Sequence, residues 1–196
     1  MKRSRRPPRK VTSSPPPRLI VGLTGPNAAG KGETARYLVS RGLAYHSLSD
    51  IIREEAERRG LPPTRENLIE IGNDLRRKSG PGALAEQTLA RLGGRDVVDS
   101  IRNPAEIETL RRDPAFVLMM VDAPLEIRFA RSRDRARPGD GTTLEEFARR
   151  EERERSADPV AQQLHLAAKS ADLVADNSGT LAELHFRIES LLRGRL

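Results

Sequence analysis

The apolar run Leu19-Ile20-Val21-Gly22-Leu23 leads directly into Gly25-Pro26-Asn27-Ala28-Ala29-Gly30-Lys31-Gly32. A short buried-strand signal, a loop bounded by glycines and then a helix-forming stretch make one strand–loop–helix unit. The loop has a physical purpose. Glycines let the backbone curl so that successive N–H groups point inward at an anion. A helix starting near Gly30 adds its positive end to the same spot, and Lys31 adds an ammonium suited to β- and γ-phosphates. Gly25, Asn27, Ala28, Ala29, Gly30, Lys31, Gly32, Glu33 and Thr34 are therefore the candidate phosphate contacts. The stretch departs from G-x-x-x-x-G-K-[ST] at Gly32, so the hydroxyl that would hold Mg²⁺ is missing there. A chance glycine-rich turn is the bland alternative. Against it, only five of the 35 basic residues are lysines, and one of them closes the loop.

With 196 residues the chain is long enough for one domain with a real core. Aromatic residues make up 3 %, so that core must be built from Leu, Ile, Val and Ala. The absence of cysteine excludes disulfides, thiol nucleophiles and cysteine metal sites. No apolar run is long enough to span a bilayer, and no apolar segment follows the basic N-terminus as a secretory signal requires. The expectation is a cytoplasmic protein. The net charge of +7 resides entirely in residues 1–18, which carry seven basic and no acidic side chains; the other 28 basic residues are matched by 28 acidic ones. That Pro- and Ser-rich tail is expected to be disordered. A solvated extension is the preferred reading, with a weak nucleic-acid tether as the alternative.

Beyond the tail, strand and helix signals alternate, which predicts an α/β fold with a five-stranded parallel sheet. Strands are expected near 19–24, 44–48, 96–101, 115–122 and 171–176. Helices are expected from the loop to Gly42, over Asp50–Arg59, from the Thr64 cap to Lys78, over Ala83–Leu92 and from Pro124 to about Arg135. Thr143-Leu144-Glu145-Glu146 and Thr180-Leu181-Ala182-Glu183 read as capping boxes. Residues 131–150 begin with Arg131, Arg133 and Arg135. They read as a basic lid over a nucleotide, or as a solvated loop with helix ends.

From 19 to 196 the chain resembles the nucleoside monophosphate kinase group of P-loop proteins, such as adenylate kinase and dephospho-CoA kinase. Three elements carry the likeness: Gly30-Lys31-Gly32, Ser49-Asp50-Ile51-Ile52-Arg53 after the second strand, and Asp99-Ser100-Ile101-Arg102 after the third. Together with Gly72-Asn73-Asp74-Leu75-Arg76 and Ala171-Asp172-Leu173-Val174-Ala175-Asp176-Asn177, they also look like a family of archaeal and bacterial kinase-like proteins. The same set looks like the kinase-like domain fused to some deoxycytidylate deaminases, although the deaminase zinc signature is absent.

The resemblance implies a P-loop three-layer α/β/α fold with a helical lid and ATP and Mg²⁺ as cofactors. It implies phosphoryl transfer to a nucleoside or deoxynucleoside monophosphate, with the acceptor-binding helices in 50–92. The carried-over roles are catalysis for Lys31, Asp99, Arg102, Arg128 and Arg131, and acceptor binding for Asp50, Arg53, Arg76 and Arg102. Asp99 is implied to hold Mg²⁺ through water, and Asn177 to sit with Gly179 at the adenine. Arg135 is a further charge-stabilising candidate beside the lid. A nucleotide-sensing module and dephospho-CoA kinase-like activity remain as alternatives. No membrane partner is expected, and nucleic acid only weakly through the tail.

Overall fold

Val21, Leu23, Val97, Met119 and Val121 turn to one face of a sheet, while Ile20, Val98 and Leu118 turn to the other; all are fully buried. This two-residue alternation on strands covered from both sides dictates three layers. The computed structural model describes residues 17–135, 142–153 and 163–196. Five strands, β1 (Leu19–Thr24), β2 (Ala44–Ser47), β3 (Arg95–Asp99), β4 (Phe116–Asp122) and β5 (Leu173–Asp176), form one sheet in the order β2-β3-β1-β4-β5. Every pairing is parallel. All carboxyl ends therefore meet along one edge, and β1 lies between β3 and β4, where the chain direction across the sheet reverses. Open α/β sheets bind ligands at such a place.

Two helices cover one face. They are α1 (Lys31–Ser40) and α9 (Leu181–Leu191), which deliver Leu38, Leu184 and Ile188 to the core. The opposite face is covered by α2 (Leu48–Arg58), α4 (Ala83–Leu89), α5 (Pro104–Leu110) and α8 (Leu164–Lys169), through Leu48, Ile51, Leu84, Ile107 and Ala167. Helix α3 (Arg65–Ser79) packs on α2 and α4. The pair α6 (Leu125–Arg135) and α7 (Leu144–Arg153) stands beyond the end of β4. Part of the expected lid, 136–141, lies outside the described residues, as does the tail up to residue 16. Arg18 at the tail's end pairs with Asp113.

The differences from the sequence reading concern ends and caps. Ser47 closes β2 and starts α2, because its hydroxyl accepts from Ser49 N at 3.3 Å. The second helix thus begins at Leu48 rather than Asp50. Strand β3 stops at Asp99 because Ser100 turns to φ 66°. Helices α5 and α8 had no counterpart in the reading. Helix α5 had a usable signal: Asn103-Pro104-Ala105-Glu106 places a cap, a proline in the first turn and a reciprocating glutamate in order, and the structure shows that capping box closed. The box expected at Thr143 is displaced by one residue. Its hydroxyl accepts from Glu146 N, but the Glu146 carboxylate reaches Thr142 instead.

Glu106 has a second task. Its carboxylate is fully buried, accepts from Arg102 N at 2.9 Å and Asn103 N at 3.1 Å, and takes the Arg76 guanidinium at 2.8 Å. Arg76 is itself 4 % exposed. Breaking a buried pair leaves one unmatched charge in a low-dielectric site. Glu106→Ala is expected to lower the unfolding free energy by about 3–5 kcal/mol, read from urea denaturation. Arg76→Met at the same site is expected to cost markedly less, because Glu106 keeps its two backbone donors.

Candidate nucleotide site

The loop between β1 and α1 is held by close backbone approach. Gly25 has φ 130°, and a Cβ there would stand 2.1 Å from the Val121 carbonyl oxygen on β4. Gly30 caps α1 with φ 109°, and a Cβ there would meet Asn177 Nδ2 at 2.1 Å. Both glycines are thus fixed by conformation and by space. Helix α1 begins without a side-chain cap, so its positive end faces the loop with no side-chain oxygen set against it. The Lys31 ammonium folds over the loop and donates to Gly25 O at 2.6 Å and Pro26 O at 2.8 Å.

Cations crowd this loop. Burial of the ammonium, and after it the charges of Arg102, Arg135 and Arg128, together lower the Lys31 pKa from 10.5 to about 8, with Asp99 opposing. Lys31 retains some exposed surface as a residue, while its ammonium lies deep among protein atoms. Arg128 Nη1 approaches Asn27 O at 3.4 Å, and Arg135 Nη2 approaches Asn27 Oδ1 at 3.3 Å. Arg131 lies between them on the same face of α6, and its Nη1 is buried without a hydrogen-bond partner among the described residues. Such a cleft is complementary to a polyanion.

The expected site residues divide into several groups. Lys31, Asp99, Arg102, Arg128 and Arg135 come together at the carboxyl edge of the sheet, coupled through Lys31. Asp99 accepts from Ser100 N at 2.6 Å, with the Tyr45 hydroxyl 3.4 Å from its other oxygen. Glu33, an acidic residue beside a phosphate loop, points away from it, toward Arg36 and toward His185 at 3.8 Å. Thr34 is fully buried.

Asn177 is also displaced from its expected role. Its amide donates to Ala29 O at 2.8 Å and the residue is 3 % exposed, so it braces the loop from beneath instead of lining an open base site. Arg76, expected to bind the acceptor, instead has its guanidinium buried against Glu106 inside the protein. Arg53 and Asp50 form an exposed pair at 2.6 Å on the first turns of α2. Tyr45 beside Asp99 and Glu151 beside Arg128 went unread in the sequence, because neither belongs to a local pattern.

The residues suit a magnesium nucleotide. A Cβ at Gly32 would meet nothing within 4 Å, so there is open space where a hydroxyl-bearing residue usually stands. Asp99 offers a hard oxygen donor at the strand end, and Mg²⁺ commonly uses one or two carboxylates together with phosphate oxygens and waters. Among the described residues no cluster of three His, Asp or Glu side chains forms an independent metal site. No helix among them is long and apolar enough to cross a membrane.

Comparison with known proteins agrees with this geometry. The AAA domain family matches residues 21–157. The UPF0200 protein of Pyrococcus horikoshii is 33 % identical over 183 residues, covering 89 % of this chain and 96 % of its own. The chain belongs to the UPF0200 family. Its fold is that of the P-loop NTPases, with kinase-like structural neighbours. A crystal structure of TT1252 from Thermus thermophilus matches with a TM-score of 0.60 at 24 % identity, over 90 % of this chain and 97 % of that one. Shikimate kinase from Acinetobacter baumannii, solved with shikimate, matches with a TM-score of 0.56 at 20 % identity, over 91 % and 95 %. For this UPF0200 chain those two likenesses establish the fold.

Two predictions follow from the loop. Gly30→Ala is expected to abolish ATP binding, whereas Gly32→Ala should retain the fold and raise stability by about 0.5–1 kcal/mol, as an added methyl in a helix does; calorimetric titration and thermal melts separate the two. The second concerns Lys31. Between pH 8 and 10.5 the unfolded chain still holds the Lys31 proton that the folded chain has released, so this group makes stability rise with pH across that window. Below pH 8 the buried ammonium costs the fold up to about 3 kcal/mol. Lys31→Met also loses two hydrogen bonds worth about 1 kcal/mol each. The variant is therefore expected to be more stable than the parent by about 1 kcal/mol at pH 7, with the advantage gone by pH 10, as urea midpoints at the two pH values will show.

Proposed function

We propose that this protein transfers the γ-phosphoryl group of Mg-ATP to a small phosphorylated acceptor, a nucleoside or deoxynucleoside monophosphate. One observation carries the reading: Lys31, Arg102, Arg128 and Arg135 converge on a phosphate loop, and Arg102 comes from the end of β3 while the other arginines come from α6. Cations approaching from two sides suit two anions meeting in line, a donor triphosphate and an acceptor phosphate. The P-loop fold and the kinase-like neighbours support the reaction class.

In this reading the loop amides of residues 25–32 and Lys31 hold the donor phosphates. Lys31 leaves the carbonyls of Gly25 and Pro26 to do so, and phosphate restores the full charge that burial had weakened. Arg102 orients the acceptor phosphate, with Arg53 reaching it from α2. Arg128 and Arg131 stabilise charge on the phosphoryl group in flight, with Arg135 behind them. Asn177 keeps the loop in shape. Asp99 would hold Mg²⁺ through water, and the ion would supply positive charge against the donor phosphates. The bond from phosphorus to the β–γ bridging oxygen breaks and a bond to an acceptor phosphate oxygen forms. That oxygen is already anionic, so no general base is needed.

The test is ADP release from Mg-ATP across nucleoside monophosphates, deoxynucleoside monophosphates, dephospho-CoA and the hydroxyl acceptor shikimate, with Lys31→Ala as the blank. Acceptor-dependent release by one monophosphate, lost in the variant, is expected. Turnover with shikimate alone would replace the acceptor class and retain the kinase. ATP binding with no turnover on any acceptor would make the protein a nucleotide sensor.

A further inference from the structure

Arg128 is placed with unusual completeness for a side chain meant to follow a moving charge. It is 8 % exposed. Its Nε donates to Ala123 O at 2.8 Å, at the end of β4. Its Nη1 meets both Asn27 O of the phosphate loop and the Glu151 carboxylate of α7. Asp122 is the other nearby carboxylate, at 4.0 Å and about half exposed. A buried guanidinium requires a counter-charge, and here Glu151 supplies it in direct contact.

The same nitrogen thus joins the loop, α6 and α7. It also lies in the field that depresses the Lys31 pKa. A phosphate seated on the loop, within reach of the nitrogen that touches Asn27, meets Arg128 already bonded to a carboxylate. Two anions cannot share one buried donor without repulsion. The phosphate must either displace Glu151 or bind against it.

Resting on the nucleotide-binding reading above, we propose that Glu151 is a positioning residue that takes the place of phosphate on Arg128: it holds the guanidinium over the loop until nucleotide arrives, is displaced by the phosphates, and thereby weakens nucleotide affinity. Phosphate entry and Glu151 release are one exchange of partners at Arg128. Helix α7 stays in place through it, because Phe147 is fully buried, packs 5.9 Å from the Phe129 ring and lies beneath the Arg128 guanidinium at the same distance. The carboxylate can therefore leave without unfolding the helix pair, and Glu151→Gln should fold.

The experiment is calorimetric titration of wild type, Glu151→Gln, Arg128→Gln and the double variant with Mg-ADP, inorganic tripolyphosphate and adenosine. Glu151→Gln is expected to bind Mg-ADP and tripolyphosphate about tenfold more tightly than wild type, with adenosine unchanged. The gain is expected to vanish in the Arg128→Gln background, since the carboxylate acts through that guanidinium. A purely structural glutamate would give no gain, so equal or weaker binding by Glu151→Gln overturns the proposal. So does a gain that persists without Arg128. If wild type binds no nucleotide, the kinase reading fails separately. Tripolyphosphate, which lacks base and sugar, then still decides the exchange, and its failure to bind either protein overturns that as well.

Discussion

Mutual repulsion among Lys31, Arg102, Arg128 and Arg135 is the condition under which the rest of the structure is assembled. Four cations in one partly dry cleft would spread apart unless something holds them. Backbone carbonyls of Gly25 and Pro26 hold Lys31, the carbonyl of Ala123 and the Glu151 carboxylate hold Arg128, and Asp99 opposes the group from the end of β3. The depressed Lys31 pKa reflects burial of its ammonium first and that repulsion second. In the proposed function, these gathered cations are what receives the phosphates of the nucleotide.

The sheet makes the crowding possible. Parallel pairing of all five strands sends every carboxyl end to one edge, so residues far apart in sequence meet there without long connections. Gly25 is pressed against Val121 and Asn177 against Ala29, which ties the loop to β4 and β5 at once. The fold places its conformationally demanding backbone where the cations gather and surrounds it with regular structure, a common division between scaffold and candidate site.

Much of this was legible in the chain. The strand–loop–helix unit, the five strands and the parallel sheet follow from apolar runs, glycine spacing and caps, all of which are local signals. That Lys31, Asp99 and Arg102 lie at strand ends was readable because each sits in or beside a local motif, and Arg128 because it is on the helix that follows β4. The reading erred where a residue's meaning depends on a distant partner. Nothing near Arg76 announces that Glu106, thirty residues on, will bury its guanidinium. Nothing near Asn177 shows that its amide serves a carbonyl 148 residues earlier. Glu151 was invisible for the same reason, whereas helix α5 was overlooked although Asn103, Pro104 and Glu106 spell its start.

The Arg76–Glu106 contact has a mechanical side. Glu106 accepts from the amides of Arg102 and Asn103 while gripping Arg76, so one carboxylate fastens α3 and α5 to the turn that carries Arg102. A joint with four donors on one buried group does not swivel. Helix α2, by contrast, is held to the sheet by Leu48 and Ile51 and carries its Asp50–Arg53 pair in solvent. The stiff corner thus fixes the backbone of Arg102 relative to α3 and α5, so that the side chain alone is left to adjust.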